Sequence, residues 1–204
     1  MTDSILEGIY SAWQAMTWWE AAGVFFGLLY IFLAARENSW CWGAGLISVL
    51  IYVKICWEAH LLAELSLQGF YLIITAYGWY QWKWGFKKKE LPIGQLSLPQ
   101  HVGLISGGLL ASALMGWLLS RYTEASLPYI DSFTTVFSMI TTWMVARKKI
   151  ENWLYWIVVD GVAVYMYWSK ALYLTALLFV AYVIIVIIGY FEWKKHLTKQ
   201  MAHG

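Results

Sequence analysis

Asn152, Trp156 and Asp160 recur every four residues within ENWLYWIVVDGVAVYMYW. On a helix this spacing sets an amide, an indole and a carboxylate on one face. An indole face attracts a flat cation, a carboxylate balances its charge, and an amide pairs with hydroxyl or carboxamide groups. The face therefore suits a solute made of an aromatic cation and a polyhydroxylated ring. Gln68, Tyr71 and Tyr182 fall at comparable depth in other apolar runs and join these three as candidate substrate-binding residues. Asn38, Trp42, Ser48 and Trp79 are candidates for the pathway or a gate.

The elements that must position them follow from composition. The 204 residues are 61% hydrophobic and 13% charged, about half the charge of an ordinary soluble domain. Such a chain is an all-α integral membrane protein, because a bilayer tolerates outward apolar side chains that water does not. Windows of about 20 residues, the length that crosses roughly 30 Å of hydrocarbon, give seven spans. These are 18–35, 41–57, 61–82, 101–119, 128–146, 152–168 and 171–192. Residues 1–17 form an N-terminal segment with an interfacial helix near 4–16. The start MTDSILEGIYSAW lacks a basic region and a small-residue cleavage site, so the N-terminus is expected to be retained. Residues 83–100 form a basic cytoplasmic loop, and 194–204 a cytoplasmic tail.

A shift of 111 residues lays Ala35-Arg36 on Ala146-Arg147, Trp57 on Trp168, Tyr71 on Tyr182, Gly78 on Gly189 and Trp82-Lys83 on Trp193-Lys194. Glu37-Asn38 falls on Glu151-Asn152 if three residues are inserted in the second copy. The chain then reads as two parallel three-helix repeats, 18–82 and 128–193, joined by a linker helix at 101–119. Parallel repeats place a substrate site at their interface near the midplane. Asp160 lies near that depth, where an ionised carboxylate facing lipid costs at least about 2.5–3.5 kcal/mol. It lines the pathway or bonds to a neighbour such as the Ser/Thr-rich fifth span.

Eleven of the 14 basic residues (Arg36, Lys83, Lys87, Lys88, Lys89, Arg147, Lys148, Lys149, Lys194, Lys195 and Lys199) fall in loops on one side. The positive-inside rule makes that side cytoplasmic and the N-terminus external. Cys41 and Cys56 suggest neither a disulfide framework nor a metal site. No phosphate loop, HExxH or GxSxG motif occurs, so neither ATP hydrolysis nor enzymatic catalysis is expected, and no cofactor is implied. His60, His101, His196 and His203 sit at span ends or in the tail, which favours a uniporter over a buried proton relay. Asn38 and Asn152 either gate the pathway or cap their helices, and Glu20 and Glu64 are expected to be solvated.

The stretches ARENSWCWGAGLISVLIY, LLAELSLQGFYLIITAYGWYQW and ENWLYWIVVDGVAVYMYWSKALYLTALLFVAYVIIVIIGYFEW resemble the PnuC family of bacterial nicotinamide riboside transporters. The resemblance runs from about residue 18 to 195. It implies an arrangement of three helices, a linker and three helices, like the SWEET sugar transporters, in a bacterial inner membrane. It also implies a homotrimer, facilitated diffusion of nicotinamide riboside, and trapping by a cytoplasmic riboside kinase. Two alternatives stay open: a facilitator of thiamine or riboflavin, and a substrate-capture subunit of an ATP-driven importer. Because no Lys or Arg lies at mid-depth in the seven spans, the site should disfavour a mononucleotide.

Overall fold

The computed structural model describes residues 2–85 and 91–203. Among them are eight helices: α1 (Thr2–Ala15), α2 (Trp18–Ala35), α3 (Cys41–Glu58), α4 (Leu62–Trp84), α5 (Leu98–Tyr122), α6 (Pro128–Ala146), α7 (Asn152–Ser169) and α8 (Tyr173–His203). Lys87, Lys88 and Lys89 of the expected basic loop lie outside the described residues.

Local chemistry sets the helix starts. Thr17 and Glu20 form a capping box: Thr17 Oγ1 accepts the Glu20 N–H at 3.2 Å, and a Glu20 carboxylate oxygen accepts the Thr17 N–H at 2.7 Å. Glu20 therefore has a defined role at the head of α2 rather than being merely solvated. At the head of α5 the Gln100 side-chain oxygen accepts the Ser97 N–H at 2.9 Å, and Pro128 opens α6 with a preset φ. The ends of α2, α3, α6 and α7 share one device. Glu37, His60, Lys148 and Ala171 take left-handed φ of 53°, 56°, 47° and 57° without glycine. Around Glu37, the Asn38 N–H donates to the Leu33 carbonyl and the Glu37 N–H to that of Ala34, which satisfies two orphan carbonyls.

These ends fix the internal symmetry. α2 and α6 end at Ala35 and Ala146, α3 and α7 run from Cys41 to Glu58 and Asn152 to Ser169, and α4 and α8 begin at Leu62 and Tyr173. Each boundary pair is separated by 111 residues, so no insertion separates the copies. The expected match of Asn38 to Asn152 is therefore overturned: the residue equivalent to Asn152 is Cys41, and Asn38 corresponds to Lys149. The residues expected as the tail, from 194 on, continue α8 as far as His203. Lys194, Lys195, Lys199 and Gln200 are good helix formers, and no Gly or Pro interrupts them before Gly204.

In the first trio α2 packs on α3 and α3 on α4; in the second, α6 packs on α7 and α7 on α8. Two contacts join the trios, α2 with α8 and α4 with α6, and they exchange under the same shift. α5 rests on α6, and α1 rests on α8. By length and composition α2, α3, α5 and α8 suffice to cross a bilayer. α6 and α7 carry Ser132, Thr141, Asn152 and Asp160, all buried within the protein.

The core lies at the Arg36/Arg147 end of the seam. Trp42, Trp82, Trp193 and Trp153 form a row with successive ring separations of 5.7, 5.8 and 5.3 Å, symmetric about the Trp82–Trp193 contact. Trp42 lies where a Gly78 Cβ would be 2.3 Å from its ring, and Trp153 where a Gly189 Cβ would be 2.8 Å away. The glycines at these two positions let the indoles reach the facing backbone.

Candidate functional site

A cavity of about 260 Å³ opens at the seam, walled by α2, α4, α6, α7 and α8. It falls just below the roughly 300–1,000 Å³ of most small-molecule pockets. Asp160, Trp156, Tyr71 and Tyr182 all line it, brought together from α7, α4 and α8. Asp160 is 2% exposed, and its Oδ2 has no hydrogen-bond partner. Four of the fifth-span hydroxyls considered as its partners, those of Ser132, Thr134, Thr141 and Thr142, bond within their own helix. Thr141 and Thr142 donate to the Phe137 and Ser138 carbonyls of their own helix at 2.6 and 2.7 Å. Back-bonding of this kind satisfies a buried hydroxyl within one helix.

The other candidates take different places. Gln68 is half-buried on α4 and does not line the cavity. Asn152 is fully buried at the first turn of α7, donating to the Lys149 carbonyl at 2.6 Å with its Oδ1 unpaired. Ser48 stands behind the wall, where its hydroxyl donates to the Gly23 carbonyl at 2.9 Å and ties α3 to α2. Trp42 is buried in the tryptophan row. Trp79 points away from the seam, meeting Trp40 edge-on at 5.9 Å beside an outer apolar groove. Asn38 accepts the Trp40 N–H on its side-chain oxygen at 2.9 Å, a turn contact ahead of α3. Neither asparagine is an N-cap, since Trp40 and Glu151 hold those positions without side-chain bonds.

Sequence reasoning did not single out Gly27, Tyr30, Trp153 or Phe179, which also line the cavity, as does Ser138 of the Ser/Thr-rich fifth span. The repeat held a usable signal. Under the shift of 111, Gly27 falls on Ser138, Ala34 on Val145 and Tyr71 on Tyr182, and both members of each pair line the cavity. Phe179 is the counterpart of Gln68, so the aromatic member of that pair reaches the cavity. Tyr30 Oη and Trp153 Nε1 are, like Asp160 Oδ2, buried without hydrogen-bond partners. Each such group left unpaired costs about 1–3 kcal/mol. Among the described residues no Lys, Arg or His lines the cavity. It therefore offers aromatic faces, two unpaired donors and one carboxylate, and a solute with a positive charge and polar edges would satisfy all of them.

A family model described as nicotinamide mononucleotide transporter matches residues 17–195. The chain is 26% identical over 204 residues to the nicotinamide riboside transporter PnuC of Escherichia coli, covering 87% of this chain and 85% of that protein. It is also 26% identical over 186 residues to the riboflavin/roseoflavin transporter RibM of Streptomyces davaonensis, covering 88% and 86%. Among solved structures, the crystal structure of the vitamin B3 transporter PnuC superposes with a TM-score of 0.72 at 20% identity. That match covers 96% of this chain and 90% of the other, and establishes the shared fold.

Proposed function

This chain belongs to the nicotinamide mononucleotide transporter family, and from that premise we propose that it carries nicotinamide riboside through the cavity at the seam of its two helix trios. It is a multi-pass bacterial inner-membrane transporter of a vitamin, not an enzyme. The observation that carries the substrate reading is Asp160: a buried carboxylate with an unpaired oxygen, facing a cavity that no cationic side chain lines among the described residues. The pyridinium supplies the missing positive charge and stacks on Trp156, Tyr71 or Tyr182, a cation–π contact worth about 2 kcal/mol when desolvated. The Tyr30 hydroxyl and Trp153 indole N–H are left to pair with the ribose and carboxamide. A phosphate dianion would face Asp160 with no cation to offset it, so the riboside is favoured over the mononucleotide.

The seven longest helices, α2 to α8, act as membrane spans in two parallel repeats joined by α5, with the N-terminus outside and the Arg36/Arg147 end cytoplasmic. Movement is facilitated diffusion, made one-way by a cytoplasmic riboside kinase, and the assembly is a homotrimer. Gln68 and Asn152 support the site from behind rather than touching the solute. Riboflavin is the second reading, favoured by the match to a riboflavin/roseoflavin transporter at the same identity. Proteoliposomes loaded with unlabelled solute distinguish the two by counterflow. Labelled riboside should enter without ATP or a proton gradient, and mononucleotide, riboflavin and thiamine should compete weakly. Uptake of riboflavin alone would reassign the solute, and uptake only under a proton gradient would overturn the uniport reading.

A further inference from the structure

The Arg36/Arg147 end of the seam is closed by polar contacts that run from one trio to the other. Trp193 Nε1 of α8 donates to the Ala34 carbonyl of α2 at 2.9 Å, and Trp82 Nε1 of α4 to the Val145 carbonyl of α6 at 3.0 Å. Ala34 and Val145 are themselves cavity walls. Three residues beyond each comes a charge. Glu37 accepts from Lys148 Nζ at 3.2 Å through one carboxylate oxygen, and its other oxygen meets His196 Nδ1 of α8. The Lys148 and Glu37 side chains are only 7% and 14% exposed, and the Lys148 ammonium sits 4.7 Å from the Trp82 ring centre. The other ion pairs among the described residues do not cross the seam. Lys54–Glu58 lies within α3, and Lys170–Asp131 within the second trio.

The two sides of this contact are held differently. The segment before α5 straps the Lys148 loop in place: the Gly94 N–H donates to the Lys148 carbonyl and the Ile150 N–H to that of Gly94, both at 3.0 Å. Leu96 N–H adds a bond to the Glu151 carboxylate at 3.0 Å, and Lys149 Nζ one to the Gln95 carbonyl at 3.0 Å. Glu37 is the carboxylate that closes onto this anchored surface. A charge contact suits repeated opening, because each partner regains water when the seam parts, whereas interdigitated apolar packing would leave bare surface.

We propose that Glu37 is a gate residue of the transport cycle, latching the cytoplasmic end of the cavity shut through Lys148 and His196 and releasing it to let the solute leave. The proposal rests on transport by this fold and not on which vitamin is carried.

A native thiol reports on the latch. Cys41 is 0% exposed and belongs to the same buried cluster as Ala34, Trp82, Val145 and Trp193. In a Cys56→Ser background it is the sole thiol, since the chain has two cysteines. Its alkylation by N-ethylmaleimide in proteoliposomes then measures opening without any solute. Glu37→Gln should speed alkylation by about tenfold or more, and Lys148→Gln should do the same from the other side. Asp131→Asn, which breaks a pair inside one trio, should leave the rate unchanged. Thermal unfolding run beside the labelling confirms that each variant is folded. An unchanged rate in a folded Glu37→Gln or Lys148→Gln protein would overturn the latch, as would equal acceleration by Asp131→Asn. Riboside counterflow on the same samples separates the two readings, because labelling responds to the latch whichever vitamin the cavity accepts.

Discussion

The two helix trios share one scaffold and differ in what they present to the cavity. Their helix boundaries, left-handed helix ends, Trp–Gly contacts and indole–carbonyl bonds repeat at 111 residues. The cavity walls repeat only in part. Asp160 stands where the first trio has Val49, and Trp156 where it has Gly45. Gly45 leaves room for the Tyr30 ring, which a Cβ there would approach to 3.0 Å, whereas Tyr30 is replaced in the second trio by Thr141. Tyr30 of α2 and Trp156 of α7 thus line the cavity without an aromatic counterpart in the other half. Symmetry builds the seam, and departures from symmetry make the cavity asymmetric.

Breaking the shared scaffold should have the largest effect. Gly78→Ala drives a methyl into the Trp42 ring, and overpacking of this kind costs about 1–3 kcal/mol or more. The thermal midpoint should fall clearly for Gly78→Ala and less for Gly189→Ala, whose clash is milder. The unshared residues come next. Asp160→Asn should weaken riboside binding by about 1.5–3 kcal/mol, the range of hydrogen bonds to charged groups, while the midpoint is kept or raised. Trp156→Ala should lose up to about 2 kcal/mol of affinity for the pyridinium, read by titration beside thermal unfolding to separate contact from packing. Smallest is Ser48→Ala, which removes the bond to Gly23: about 0.5–1.5 kcal/mol of stability with affinity unchanged. A loss of affinity there would move Ser48 from scaffold to site.

The span positions were legible because apolar length and helix ends are local properties, and α2 and α6 begin and end where hydropathy places them. The backbone conformation just past those ends was not. Glu37, His60, Lys148 and Ala171 adopt left-handed backbone without the glycine that usually marks it, so the copies were aligned with an insertion that is absent. Within the site, Asp160 and Trp156 were legible from depth and spacing on one helix. Tyr30 was not, because its place depends on the empty side of Gly45 across a helix contact. Trp42 and Trp79 show the converse limit. An indole at a plausible depth turns toward packing or the outer surface according to neighbours that the linear sequence does not identify.

The central claim is that Asp160 balances the charge of a cationic solute in the seam cavity. Calorimetric titration of the purified protein and its Asp160→Asn variant, each with nicotinamide riboside and with its uncharged dihydropyridine form, tests it directly. The account predicts that the native protein prefers the cation by about tenfold or more, equivalent to about 1.4 kcal/mol, and that Asp160→Asn erases most of that preference. Equal affinity for the charged and uncharged forms in both proteins would contradict it, and would make Asp160 a structural residue of α7.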